Sequence, residues 1–178
     1  ADRRVCDACG PRIRWDGQET PEVADNREQI QDPRTAYQMV SILEGVVQRG
    51  TAKKLADMGR PVAGKTGTTN ESRDVWFIGF TPDLVAGVFV GYDTPKSLGD
   101  KETGGSVAVP IFRDFMTAAL EGVPPVPFRV PPGIRQVMVD AHTGRPASFG
   151  AQNAIWESFV EGTEPSDEDN GDASAPIS

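Results

Sequence analysis

The spacing of the hydrophobic positions predicts two amphipathic helices on either side of a strand-rich middle. Apolar residues recur at helical intervals over 32–49, where Asp32 is a good N-cap and Pro33 a good first helical residue. A second helical pattern covers 108–120, and a short additional helix is predicted over 51–58. The apolar stripe of the second helix consists of Ile111, Phe112, Phe115, Met116, Ala119 and Leu120. The helices over 32–49 and 51–58 are expected to cover a core and to carry no chemistry of their own.

Three shorter segments between the helices predict strands at about 62–68, 74–81 and 84–92, and the second and third of them are largely apolar. The short turn around Pro82 is expected to join the second and third strands as an antiparallel hairpin. The third strand is apolar on both faces, which fits a central sheet covered by helices on each side. The expected fold class is therefore α+β, with an antiparallel sheet flanked by helices.

Changes in composition divide the chain into four segments. Residues 1–31 are charged and irregular, whereas 32–121 contain the predicted helices and strands. Residues 122–160 form a proline-rich connector followed by a small hairpin. The last segment, 161–178, has the composition of a disordered acidic tail.

The formal net charge of −8 comes mostly from the end of the chain. Of the 26 acidic residues, seven lie from Glu157 onward with no lysine or arginine among them, which leaves 19 acids against 18 bases. Because this remainder is nearly neutral and has no basic stripe, binding to nucleic acid is not expected. No apolar run reaches the ~18 residues that span a membrane, and no signal peptide is visible. Since the first residue is Ala1, we expect a fragment, with any membrane anchor in an upstream segment.

Two cysteines, Cys6 and Cys9, form an isolated C-x-x-C in the first segment. A zinc site needs two more ligands, which the sequence hardly supplies. Gly10-Pro11 disfavours the helix that would follow a thioredoxin-like pair. A local disulfide in an oxidising compartment and two unreactive thiols remain the alternatives. No metal or cofactor is expected.

The small hairpin near the end of the chain contains the only histidine. Residues 134–139 are predicted as one arm of this hairpin and 140–144 as its turn. His142 lies in that polar turn and is expected to be an exposed bystander. A Ser-His-Asp mechanism is therefore disfavoured.

The segment Ala63-Gly64-Lys65-Thr66-Gly67-Thr68-Thr69 combines one cation, three hydroxyls and two glycines. Together with the preceding residues it satisfies the phosphate-loop pattern G-x-x-x-x-G-K-[ST] from Gly59 to Thr66. A phosphate loop needs a strand before its first glycine and a helix after its Lys-Thr pair. Here a helical pattern precedes Gly59 and a strand-like pattern follows Thr66. The context therefore disfavours nucleotide binding, although the letters match.

The same segment contains Lys65-Thr66-Gly67, the K-T-G element of serine enzymes that react with penicillin. Beyond this tripeptide, the run from Asp32 to Met116 resembles the C-terminal part of the transpeptidase domain of class A penicillin-binding proteins. The resemblance covers about half of the chain. Its matching words are Arg34-Thr35-Ala36-Tyr37, Gly50-Thr51, Ala63 to Thr69, Asp74-Val75-Trp76-Phe77, Gly79-Phe80-Thr81-Pro82, Val90-Gly91-Tyr92-Asp93, Gly104-Gly105 and Pro110-Ile111-Phe112.

This resemblance implies a β-lactamase/transpeptidase-like fold, of which the chain holds only the C-terminal portion. It implies that Lys65 shapes the electrostatics beside a nucleophilic serine and that the hydroxyls of Thr66 and Thr68 bind a substrate carboxylate. The backbone N–H of Thr68 is then one of two oxyanion donors, and Gly67 leaves the approach open. The implied ligands are peptidoglycan stem peptides ending in D-Ala-D-Ala and β-lactam inhibitors. The implied location is the periplasmic face of the bacterial inner membrane.

The nucleophile of this family is expected in an S-x-x-K motif, with an S-x-N motif nearby. Neither motif occurs in the 178 residues. The nearest approach is Thr51-Ala52-Lys53-Lys54, where Thr51 is predicted to cap a helix. We therefore expect the catalytic serine and its lysine upstream of Ala1. The alternatives are a non-catalytic, transpeptidase-like binding module and, more weakly, a phosphate-loop protein.

Overall fold

A computed structural model describes residues 28–166. The predictions for Cys6 and Cys9 and for most of the acidic tail lie outside these residues. The regular elements are α1 (Pro33–Gln48), β1 (Ala63–Thr68), β2 (Asp74–Phe80), β3 (Val85–Gly91), α2 (Val109–Ala119), β4 (Ile134–Asp140) and β5 (Ala154–Val160). Short helical turns occupy Lys53–Leu55, Asn70–Ser72 and Gly104–Ala108. No helix among the described residues is both long and apolar enough to cross a membrane.

The strands confirm the sequence prediction to within one residue at each end. Strands β1, β2 and β3 form an antiparallel sheet in that order. Within the described chain β1 pairs only with β2, so β1 lies at an edge of the sheet. The mixture of helices with an antiparallel sheet agrees with the α+β class predicted from the sequence.

Helix α1 begins where the capping residues predict. The Asp32 carboxylate accepts a hydrogen bond from the Arg34 backbone N–H at 2.8 Å, and Pro33 occupies the first turn. Hydrogen bonds from the Arg34 side chain and backbone lower the pKa of Asp32 to about 2. The helix therefore starts at a cap that is ionised at neutral pH.

Both helices pack against one face of the sheet through a shared apolar core. The rings of Phe77 on β2 and Phe112 on α2 meet edge to face with their centroids 4.8 Å apart. Full burial of a side chain of this kind stabilises the fold by ~1.5–3 kcal/mol. The core consists of Val47, Ala52, Leu55, Val62, Val75, Phe77, Ala108, Val109, Phe112, Met116 and Leu120.

Two helix predictions need correction. In α2 the buried residues are Val109, Phe112 and Met116, whereas the predicted stripe members Ile111 and Phe115 are about half exposed. The buried set follows i, i+3, i+7, so the core-facing stripe is narrower than the apolar residues suggest. The helix predicted over 51–58 is only a 3₁₀ turn, because the buried residues Ala52 and Leu55 are three apart and suit three residues per turn.

The face of the sheet opposite the helices remains open in the described part of the chain. Trp76, Ile78 and Phe89 are 43%, 52% and 52% exposed, and together with Val85 they form what we call the outer face. The Trp76 and Phe89 rings contact each other with centroids 4.8 Å apart. The prediction that helices cover both sides of the sheet therefore does not hold for residues 28–166, where the outer face is exposed.

Strands β4 and β5 form the small hairpin, but its connection is longer than predicted. Asp140 accepts hydrogen bonds from the backbone N–H groups of His142 and Thr143, which makes the local turn. The chain then bridges back from Pro146 to Val139 before β5 begins at Ala154. His142 is exposed, as the sequence predicts.

The hairpin packs against α1 through polar contacts. The Gln38 side chain donates to the Ser158 carbonyl oxygen at 3.0 Å, and the Ser158 hydroxyl donates to Ser41 at 3.1 Å. Arg49 forms an ion pair with Glu157. The hairpin is therefore joined to the helical layer and does not stand alone.

Candidate functional site

The Lys-Thr-Gly-Thr sequence forms the second half of strand β1. Lys65 and Thr68 are exposed, and Thr66 and Gly67 are partly exposed. The preceding residues Ala63 and Gly64 are buried, so the strand is anchored at its start and accessible at its end. All four predicted site residues therefore lie together at an accessible sheet edge.

The hydrogen-bond pattern determines which backbone groups face this edge. The Thr69 N–H donates to the Asp74 carbonyl at 3.0 Å. Thr69 and Asp74 are therefore a hydrogen-bonded pair at the end of the β1–β2 ladder. Because such pairs alternate in an antiparallel ladder, Gly67 and Lys65 also bond to β2. The N–H and C=O groups of Thr66 and Thr68 must then point away from β2. The open edge consequently presents main-chain donors and acceptors at every second residue.

The Lys65 side chain returns to this same edge. Its Nζ donates to the Thr66 carbonyl oxygen at 2.9 Å, which agrees with an outward-pointing carbonyl. The register places Lys65 opposite Ile78 and Gly67 opposite Trp76, so both lie on the outer-face side of the sheet. An ammonium group and an unobstructed glycine therefore lie side by side where a ligand can approach.

The two threonine hydroxyls are each held by a contact from outside the strand. Thr66 Oγ1 lies 2.7 Å from Thr51 Oγ1, and Thr68 Oγ1 accepts a hydrogen bond from the Gly104 N–H at 3.0 Å. The Gly104–Ala108 turn that supplies this N–H is capped by Thr103, whose side chain accepts from Ser106 N. Both hydroxyls are thus fixed in position before any ligand arrives.

The Gly104-Gly105 pair makes this close approach possible. A Cβ on Gly104 would lie 2.4 Å from the Trp76 carbonyl oxygen and 2.8 Å from that of Gly67. A Cβ on Gly105 would lie 2.7 Å from the Thr51 carbonyl oxygen. Only glycine allows the turn to pack directly on both segments.

Sequence reasoning missed the roles of Thr51 and Gly104 as partners of the site. The sequence predicts Thr51 only as a helix cap, and the pair Gly104-Gly105 enters only through the family resemblance. Two adjacent glycines before an apolar helix are the one signal that indicated a close backbone contact.

The phosphate-loop alternative does not fit the observed geometry. Lys65 and Thr66 lie within β1, and the next elements are the Asn70–Ser72 turn and strand β2. A phosphate site would require the N-terminus of a helix at this point. In the part of the chain that the structure describes, no such helix begins directly after the Lys-Thr pair.

We expect that the chain does not bind ATP or GTP despite the match from Gly59 to Thr66. Among the described residues no helix begins directly after the Lys65-Thr66 pair, so the backbone donors that would surround a phosphate are missing at this point. Calorimetric titration with magnesium-ATP checks this expectation. Saturable binding that disappears in Lys65→Ala would contradict it.

A separate cleft of about 520 Å³ lies between α1, the proline-rich connector and the hairpin. Its walls include Glu44, Phe128 and Trp156, and burial raises the pKa of Glu44. None of its lining residues belongs to β1. The candidate site is therefore the open edge of β1 and not this cleft.

Comparison with known proteins identifies the family that this chain resembles in sequence. Residues 13–117 match the family described as the penicillin binding protein transpeptidase domain. The chain is 48% identical over 136 residues to penicillin-binding protein 1A of Rickettsia bellii and 46% identical over 141 residues to that of Pseudomonas aeruginosa. These matches cover 76% and 78% of this chain.

A solved structure shows the same fold. The crystal structure of penicillin-binding protein 1A from Haemophilus influenzae superimposes with a TM-score of 0.64 at 32% identity, covering 75% of this chain and 21% of that one. The chain spans 17% of the length of the two relatives named above. The matched region is therefore one portion of each of these longer relatives.

Proposed function

This chain belongs to the penicillin-binding protein transpeptidase family, and from that premise we propose that it forms the substrate-holding part of a peptidoglycan D,D-transpeptidase. The parent enzyme cross-links stem peptides through an acyl-serine intermediate and is acylated by β-lactams. The observation that carries this proposal is the open edge of β1, where the main-chain groups of Thr66 and Thr68 point outward beside the Lys65 ammonium.

Each residue of the edge has a part in this scheme. A stem peptide lying along β1 gains main-chain hydrogen bonds from the outward groups. The terminal carboxylate of the peptide accepts hydrogen bonds from the hydroxyls of Thr66 and Thr68. The Thr68 N–H stabilises the oxyanion, a contribution of about 3–4 kcal/mol per fixed donor in related chemistry. Gly67 has no side chain to block the approach.

Lys65 provides the positive charge of the site. Its ammonium stabilises negative charge that develops on the serine and on the carbonyl oxygen during acylation. The serine and its partner lysine are contributed by chain outside the 178 residues, since neither S-x-x-K nor S-x-N occurs among them. Under this proposal the parent acts at the periplasmic face of the inner membrane.

A fluorescent penicillin tests this function in the full-length parent. We expect one label per molecule and, after proteolysis, an adduct on a serine outside residues 1–178. The isolated chain is expected to remain unlabelled, because an acyl-enzyme needs an activated nucleophile. Intact-mass measurement gives the stoichiometry in both cases. An adduct on a serine within the 178 residues would contradict the division of roles, and an unlabelled parent would favour the non-catalytic binding module.

A further inference from the structure

We propose that Thr51 is a positioning residue that orients the Thr66 hydroxyl to donate its hydrogen to the substrate carboxylate. This inference rests on the proposed function and extends it to a residue outside the K-T-G strand. The contact that carries it joins Thr51 Oγ1 and Thr66 Oγ1 at 2.7 Å, a typical length for a hydrogen bond between two hydroxyls.

Thr51 is held firmly enough to act in this way. The next residue, Ala52, is fully buried, and its N–H donates to the Val46 carbonyl oxygen at 3.1 Å, just after the end of α1. On the other side the Gly105 backbone packs against the Thr51 carbonyl, at a distance that excludes even a methyl group. The Thr51 backbone is therefore fixed between the core and the Gly104–Ala108 turn.

The number of hydrogen atoms on the two hydroxyls determines which threonine donates in the Thr51–Thr66 hydrogen bond. A threonine hydroxyl has one hydrogen to donate and can accept up to two hydrogen bonds. In the free protein either hydroxyl of the Thr51–Thr66 pair can be the donor. A carboxylate bound to Thr66 can only accept, so Thr66 must donate to it. The hydrogen between the two threonines must then come from Thr51.

Thr68 shows the same arrangement with a different partner. Its oxygen accepts from the Gly104 N–H at 3.0 Å, and an amide nitrogen in a peptide bond donates only. The hydrogen of Thr68 is therefore always available to the ligand. Each carboxylate-binding hydroxyl has its own donor behind it, and aligned hydrogen bonds of this kind strengthen one another.

The test is a double-mutant cycle in the full-length parent with the variants Thr51→Val, Thr66→Val and their combination. Valine keeps the shape of threonine and removes the hydroxyl, while Thr51→Ser keeps the hydroxyl and serves as the matched control. The measurement is the second-order rate of acylation by benzylpenicillin and by its methyl ester, which lacks the carboxylate. The melting temperature of each variant is recorded alongside.

We expect Thr51→Val to slow acylation by benzylpenicillin about fivefold, the effect of one hydrogen bond. Thr51→Ser should stay within about twofold of the wild type. The double variant should be no slower than Thr66→Val, because Thr51 acts through Thr66. With the methyl ester Thr51→Val should match the wild type.

Three results would overturn the inference while leaving the proposed function intact. They are an unchanged rate in Thr51→Val, multiplicative effects in the double variant, and an equal loss with the methyl ester. An equal loss accompanied by a lower melting temperature would show that Thr51 is purely structural. Failure of the wild-type parent to be acylated at all would instead overturn the proposed function itself.

Discussion

Replacing Lys65 by alanine in the full-length parent is expected to slow acylation by penicillin by two or more orders of magnitude. The Lys65 ammonium lies at the open edge of β1, and its contact with the Thr66 carbonyl at 2.9 Å is an exposed one that a ligand can replace. Removing its charge weakens the electrostatic stabilisation of the negative charge that develops during acylation. The expected slowing corresponds to a loss of a few kcal/mol of transition-state stabilisation, because ~1.4 kcal/mol changes the rate tenfold.

The melting temperature separates a functional role of Lys65 from a structural one. We expect it to be unchanged in Lys65→Ala, because the side chain is exposed. Lys53→Ala is the matched control, since it removes the same charge from another exposed lysine outside β1. Thr66→Val should cost less than Lys65→Ala, as it removes one hydroxyl and keeps the shape. Near wild-type acylation by Lys65→Ala would contradict the site assignment, and a collapse in its melting temperature would make Lys65 structural.

Substituting Gly104 by alanine is expected to damage both the site and the stability of the fold. The added methyl would lie 2.4 Å from the Trp76 carbonyl oxygen and 2.8 Å from that of Gly67, and neither backbone atom can rotate away. Overpacking of this kind costs ~1–3 kcal/mol of stability. The forced shift also moves the Gly104 N–H away from Thr68, so acylation should fall at least about tenfold.

Gly87→Ala provides the control for this substitution. A Cβ at Gly87 meets only the Ile78 side chain, at an ordinary 3.7 Å, and its backbone needs no left-handed conformation. It should leave the acylation rate and the melting temperature close to the wild type. If Gly104→Ala behaved in the same way, the turn at Gly104–Ala108 would not be in contact with the site as described.

The parts of the fold that depend on local signals could be predicted from the sequence. Strands β2 and β3 follow from short apolar runs and the turn residues between them, and the start of α1 follows from the Asp32-Pro33 pair. These signals act over a few residues, so no tertiary information is needed to interpret them. The antiparallel order of the sheet then follows from the shortness of its turns.

The contacts that shape the site could not be predicted in this way. Thr51 is 15 residues from Thr66 along the chain, and Gly104 is 36 residues from Thr68. Such pairs meet only because α1 and α2 pack on the same face of the sheet. The same limit explains the wrong prediction that both sides of the sheet are covered. The apolar pattern of β3 alone does not show which side is exposed in the described part of the chain.

The alternation of backbone groups along β1 also bears on discrimination between substrates. A peptide held by main-chain groups is bound in much the same way whatever its side chains are. Under the proposed function, tolerance of chemical variety in the middle of the stem peptide is therefore built into the edge of the sheet. Discrimination between substrates depends instead on the C-terminal residue of the stem peptide, because its free carboxylate must reach Thr66 and Thr68. Such a site would select a peptide by its C-terminal residue, and the other side chains of the peptide would have little effect on binding.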